Sequence, residues 1–263
     1  MSHSETYDIV KTLCELPAPV GHEDAVQDWL VDRLGGFAEV RRTRVDNVLA
    51  KVGGAGPRLI VTGHADEICY VVKSVSDDGF LHIWPYYGDT RGHPPRWMIP
   101  RVIWNPPVRC LRGSRITGKA MGDRAALAIA TLAGEARAGR DDLAYEVSLG
   151  STIQEDKRDY PCVLGGGPIL VYSDNTAHYS RRLTDRLGEL AAGLGMPVQR
   201  AVFQNYGSDA AALLKRGVEI ALIIYPTRYT RSPIETVDLN DLHACVHLIV
   251  AFATTSSFEQ RKG

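Results

Sequence analysis

Apolar residues at Ile9, Val10, Leu13 and Leu16 recur three to four apart and predict a helix over residues 4–16. Pro17, Pro19 and Gly21 end it. Val26, Trp29, Leu30 and Leu34 repeat the stripe over residues 23–34, and Gly35-Gly36 closes that second helix. Strands are predicted at 39–45, 47–52 and 58–62, then a hairpin of 68–75 and 80–84 around Asp77-Asp78-Gly79. The pattern then fails. Pro85, Pro94, Pro95, Pro100, Pro106 and Pro107 mark residues 85–113 as an irregular, proline-rich insert. Beyond it come an alanine-rich helix over 122–138, a buried strand over 145–153 and a strand over 169–172. A helix over 180–194, a strand over 198–203, a helix over 208–215 capped by Ser208 and a strand over 219–224 follow. A closing helix over 236–253 rests on Leu239, Leu242, Val246, Ile249 and Val250. Strands alternating with helices after residue 113 predict an α/β core with a largely parallel sheet.

Composition narrows the function classes. A formal net charge of −1 argues against a general nucleic-acid binder and against a basic membrane surface. No apolar run approaches the roughly 20 residues of a membrane span. The five cysteines are scattered with no C-x-x-C pair, and residues 1–6 show no apolar signal core. Together these predict a cytoplasmic protein with reduced thiols.

The chemistry collects where buried strands end. Gln154-Glu155-Asp156 follows the strand over 145–153 and offers a general base beside a metal ligand, or else a solvated acidic turn. His64 and Asp66, two apart in an extended segment, share a face and suit a metal-bound imidazole oriented by a carboxylate. Asp123 in Gly122-Asp123-Arg124 opens a helix, so it reads as a ligand or as a helix cap, and Asp209 shares that ambiguity. Arg228, Tyr229 and Arg231 follow a buried strand and could grip an anionic group. No nucleotide-binding glycine loop and no G-x-S-x-G occur.

In order along the chain, Gly63-His64-Ala65-Asp66-Glu67-Ile68, Gly118-Lys119-Ala120-Met121-Gly122-Asp123-Arg124, Ile153-Gln154-Glu155-Asp156, Gly165-Gly166-Gly167-Pro168-Ile169, Gly207-Ser208-Asp209-Ala210 and Pro226-Thr227-Arg228-Tyr229-Thr230-Arg231-Ser232-Pro233-Ile234-Glu235 resemble the motif series of the M42 metallo-aminopeptidases. The resemblance implies a mixed-sheet, zinc-peptidase-like α/β sandwich over 1–84 and 114–263. Residues 85–113 would be a reduced PDZ-like insert. It implies removal of N-terminal residues from peptides, or cleavage of a related small amide, by metal-activated water. Glu155 would be the base, Asp156 and His64 ligands of zinc or cobalt, and Asp66 would support His64. Asp209, Arg228, Tyr229 and Arg231 would meet substrate, in a homo-oligomer without nucleic acid or membrane partners.

The chain departs from that pattern at the metals. Gly122 stands where the family has its bridging aspartate, and Arg231 where it has its last histidine ligand. Only eight residues separate Asp156 from Gly165, so the strand carrying a further aspartate is largely absent. Asp123, shifted by one residue, and Asp174 are the candidate replacements. Two readings stay open: a divergent hydrolase, or a catalytically inactive relative that keeps the fold as a binding or assembly module.

Overall fold

The computed structural model describes residues 2–53, 59–86, 100–138, 147–149, 162–204, 206–208 and 210–255. Helix α1 (His3–Glu15) starts where the Ser2 side chain accepts from Glu5 N, and it buries Ile9, Val10 and Leu13 as the stripe requires. Helix α2 (Asp24–Gly35) leads to the antiparallel pair β1 (Glu39–Arg42) and β2 (Val48–Lys51). After β3 (Val61–Thr62), β4 (Cys69–Val75) and β5 (Leu81–Tyr86) form the expected hairpin, with β6 (Arg101–Val102) on the other side of β4. Of the expected insert, residues 87–99 lie outside the described residues. Next come β7 (Arg109–Cys110), β8 (Arg115–Gly118) and α3 (Met121–Glu135), then β9 (Val147–Leu149), β10 (Ile169–Ser173) and α4 (Arg181–Gly193). The chain continues through β11 (Gln199–Val202), α5 (Ala210–Leu214), β12 (Leu222–Ile224), β13 (Thr227–Arg228), β14 (Glu235–Asp238) and α6 (Leu239–Thr254).

The central sheet has the order β11-β10-β12-β9-β3. Strands β3, β9 and β12 are mutually parallel, so their carboxyl ends share one edge. Strand β10 runs antiparallel to β12 and parallel to β11, so these two strands end at the opposite edge. Side chains alternate between the faces. Leu170 and Ile223 join the larger core with Leu13, Ile129, Leu187 and Ile249, while Ile169, Val171, Leu222 and Ile224 join a second core with Tyr179 and Phe203. Both faces are covered, which explains why these strands read as unbroken apolar runs. No described helix is long and apolar enough to cross a membrane.

One expected element is different. Residues 236–238, read from sequence as the first turn of the closing helix, belong to β14. This strand pairs with β8 and β13 in a four-stranded antiparallel sheet. Asp238 then caps α6 by accepting from Asn240 N at 2.9 Å and from Ser114 Oγ at 2.6 Å. The apolar period continues smoothly across the junction, so only the cap marks the true start.

Asp241 shows why the Gly165-Gly166-Gly167 turn exists. Its carboxylate accepts the Gly165 and Gly167 N–H groups, each at 2.8 Å. Gly167 has φ +84°, and a Cβ there would lie 2.0 Å from the Pro197 carbonyl oxygen, so only glycine fits. Burial pushes the Asp241 carboxyl up to about 6, against the pull of the two N–H groups. A proton held more tightly in the folded state stabilises fully below the unfolded value near 4, and that contribution is lost as pH rises through 6. The expected loss is about 3 kcal/mol. Urea unfolding at pH 4 and pH 7 should show it, and Asp241→Asn should reduce the difference by about that amount; an unchanged difference would contradict this origin.

Candidate active site

Three of the expected residues meet at the edge where β3, β9 and β12 end. His64 and Asp66 lie just beyond β3, and Asp123 sits in the first turn of α3. His64 Nδ1 faces Asp66 Oδ1 at 2.9 Å, and His64 Nε2 faces Asp123 Oδ1 at 3.3 Å. Asp66 therefore fixes a proton on Nδ1 and leaves the Nε2 lone pair toward a carboxylate oxygen. Two such acceptors repel at this distance unless a proton or cation lies between them. With zinc–ligand distances of 2.0–2.1 Å, two ligands of one tetrahedral ion stand about 3.3 Å apart. The pair fits as half of a metal site. Among the described residues no group of three or more His, Cys, Asp or Glu side chains is arranged to hold a metal. Glu155 and Asp156, beyond the carboxyl end of β9, lie outside the described residues.

The two carboxylates respond oppositely to their surroundings. Burial would raise Asp66, but the hydrogen bond and charge of His64 outweigh it and hold Asp66 below the usual range. For Asp123 burial wins over the pull of His64 and Arg124, and its carboxyl is raised.

Beneath the site lies a buried ionic group that the sequence reading did not single out. Glu67 Oε1 accepts from Lys119 Nζ at 2.9 Å, from Arg124 Nη2 at 3.4 Å and from Ala18 N at 2.8 Å. Their side chains are 3% (Glu67), 3% (Lys119) and 0% (Arg124) exposed. Arg124 Nη1 also donates to the Ala65 carbonyl, between His64 and Asp66. Arg124 follows Asp123 in the chain, so one guanidinium ties both halves of the site together.

Glu235 is a further buried acid at the site. It was legible only as the last letter of a motif, yet it is buried with both oxygens engaged. Oε2 accepts from Gly122 N and Oε1 from Arg231 N, each at 2.6 Å. Burial first, and then the Asp123 charge, push its carboxyl up to about 8. Tyr225 OH donates to the Gly122 carbonyl at 2.6 Å, so Gly122 is held through both its backbone groups.

Arg228, Tyr229 and Arg231 follow β12 to the same edge and are exposed. Tyr229 and Arg231 adopt left-handed φ values of 59° and 60°, each costing about 1–3 kcal/mol in a non-glycine residue. The Glu235 hydrogen bond to Arg231 N offsets part of that cost.

Asp174 does not join them, which corrects the expectation that it replaces a lost ligand. It follows β10 and therefore lies at the opposite edge of the sheet. Its carboxylate accepts from Thr176 N at 2.7 Å, Thr176 Oγ1 at 2.8 Å, Ala177 N at 2.9 Å and the Tyr179 hydroxyl. It closes a turn. Asp209 lies outside the described residues, and its neighbour Ser208 contacts Thr176 of that turn.

Comparison with known proteins bears on the family and the fold. A family profile described as M42 glutamyl aminopeptidase matches residues 46–86 and 150–248. A protein of Acetivibrio thermocellus, whose aminopeptidase assignment is itself inferred, is 21% identical across 95% of this chain and 99% of its own length. That alignment runs to 328 positions against a 263-residue chain, so the relative carries segments this chain lacks. The glutamyl aminopeptidase of Lactococcus lactis is 30% identical over 125 residues, 43% of this chain and 28% of the relative. Among solved structures, an aminopeptidase from the archaeon Desulfurococcus kamchatkensis superposes with a TM-score of 0.84 at 22% identity, covering 96% of this chain and 95% of that one. The TET1 peptidase of Pyrococcus horikoshii, described as assembling into a tetrahedron or a large octahedral shell, gives 0.79 at 18% identity over 96% and 99%. These relatives support an aminopeptidase-type function on a shared mixed α/β fold. With more than half of its residues matched by the profile, the chain belongs to the M42 peptidase family.

Proposed function

We propose that this protein is a divergent hydrolase of the family, removing N-terminal residues from peptides or cleaving a related amide with the help of a divalent cation. The observation that carries it is the facing pair of His64 Nε2 and Asp123 Oδ1, with Asp66 fixing the imidazole. The donors are one imidazole and one carboxylate, a set that suits zinc or cobalt. A cation held there would polarise the scissile carbonyl and make water acidic enough to attack at neutral pH.

The chain's own residues supply the remainder. Glu155, by resemblance, accepts the proton of the attacking water and delivers it to the leaving amine. Asp156 is the resemblance's candidate for a further ligand. Asp66 keeps the His64 proton on Nδ1, so Nε2 would turn its lone pair, beside Asp123, to the ion. Arg228, Tyr229 and Arg231 lie exposed at the same edge and would hold an anionic part of the substrate, such as a carboxylate, by charge-assisted hydrogen bonds. A cytoplasmic homo-oligomer remains the working expectation for its assembly.

The competing reading, a relative that keeps the fold for binding or assembly, draws on Gly122 and Arg231. Hydrolysis of aminoacyl-anilides after loading with Zn²⁺, Co²⁺ or Mn²⁺ separates the two. Loss of the general base in Glu155→Gln should lower kcat by about 10²–10⁴-fold. Equal rates for Glu155→Gln and the unaltered protein would sink the hydrolase assignment.

A further inference from the structure

Resting on the reading of His64, Asp66 and Asp123 as one site, we infer that Arg124 is a positioning residue for it, a role separate from stabilising the fold. The charge count beneath the site sets this residue apart. Glu67 Oε1 already has a cation in Lys119 Nζ at 2.9 Å and a backbone donor in Ala18 N at 2.8 Å. Arg124 Nη2 reaches the same oxygen at 3.4 Å, so it is the second cation on one carboxylate and the more distant of the two. It is also 0% exposed, and its Nε has no hydrogen-bond partner among the described residues. A buried guanidinium with an unpaired donor weakens a fold. Without it, Glu67 and Lys119 would remain as a matched pair.

What Arg124 adds lies at its other arm, where Nη1 donates to the Ala65 carbonyl. That carbonyl lies midway along a segment held at one end by β3, which stops at Thr62, and at the other by Glu67 N, bonded to Ala18 O at 2.9 Å. His64 and Asp66 flank Ala65, and Asp123 precedes Arg124 in the first turn of α3. The guanidinium charge also bears on Asp66 and Asp123, the two carboxylates of the site. One rigid fork therefore sets the place of the His64–Asp66 pair, 2.9 Å apart, against Asp123 Oδ1, 3.3 Å from His64 Nε2. A lysine carries the charge without the fork, so it cannot hold Glu67 and Ala65 together.

The test uses metal-free protein carrying ¹⁵N-labelled histidine, read above neutral pH by long-range ¹H–¹⁵N correlation of the His64 ring, alongside thermal unfolding. The unaltered protein should show one tautomer, with the proton on Nδ1. Arg124→Met keeps the bulk and the helix propensity but removes the fork. It should turn the His64 signals into a mixture of both tautomers, while its Tm falls less than that of Glu67→Gln. Arg124→Lys should give the same mixture. An unmoved His64 tautomer in Arg124→Met would overturn the inference, as would a Tm loss equal to that of Glu67→Gln or a failure to fold. A native His64 signal in Arg124→Lys would show that charge suffices and contradict the two-armed role. Absence of the Nδ1 tautomer in the unaltered protein would overturn the grouping of His64 with Asp66 on which the inference rests. A protein without metal binding or turnover would sink the hydrolase reading alone, since no ion takes part in this measurement.

Discussion

Replacing His64 with alanine is expected to lower affinity for Zn²⁺ or Co²⁺ by more than about 100-fold, the upper end of what losing an outer-shell partner costs. The reason lies in the donor count. His64 is half of the described pair, and Asp123 alone, with its carboxyl already raised by burial, is a poor substitute. Asp66→Asn should act more mildly, by about 10–100-fold, because the imidazole remains but its tautomer and orientation are no longer fixed. The ordering of the two variants is as informative as either value. Calorimetric titration of the folded variants checks it; a His64→Ala protein that binds as well as Asp66→Asn would place the site elsewhere.

The second large effect concerns stability. Glu67→Gln is expected to destabilise the protein by about 3–5 kcal/mol, because Lys119 and Arg124 would be left as uncompensated buried cations. For a chain of this length that corresponds to a fall in Tm of about 10 °C. Removing the carboxylate also loosens the bond from Arg124 to the Ala65 carbonyl, so the effect reaches the segment carrying His64 and Asp66. Thermal and urea unfolding of the metal-free protein measure the stability term separately from any metal-linked one. A loss under about 1 kcal/mol would show that water reaches the group and screens it.

The sequence was most readable where periodicity and buried contact coincide. The stripe of α1, the hairpin of β4 and β5 and the apolar runs of β10 and β12 all form as their patterns require. The sheet of β7, β8, β14 and β13 was not readable. Its strands are two to four residues long and flank loops that look like helix starts, so no window carries a period. At the site, His64 and Asp66 could be paired from their two-residue spacing beyond a strand, whereas Asp123, a ligand or a helix cap on its spacing, joined them only through the motif resemblance. Asp174 could not be excluded in advance. Its place at the end of a strand looked right, and only the antiparallel direction of β10 puts it on the wrong edge.

The buried charges were hidden for a different reason. Glu67, Lys119 and Arg124 each look like ordinary surface residues until the fold places them together, 52 and 57 positions apart in sequence. Glu235 sat in plain view within a motif. Its role depends on two backbone N–H groups, and main-chain donors leave no mark in a sequence.

Metal content together with turnover decides whether the His64–Asp123 pair serves a hydrolytic site. Purified protein, chelated and then reloaded with Zn²⁺ or Co²⁺, should retain bound metal and hydrolyse aminoacyl-anilides. That activity should vanish on chelation and fall by about 10²–10⁴-fold in Glu155→Gln. A folded protein that retains no ion, and whose turnover matches that of Glu155→Gln, would contradict it.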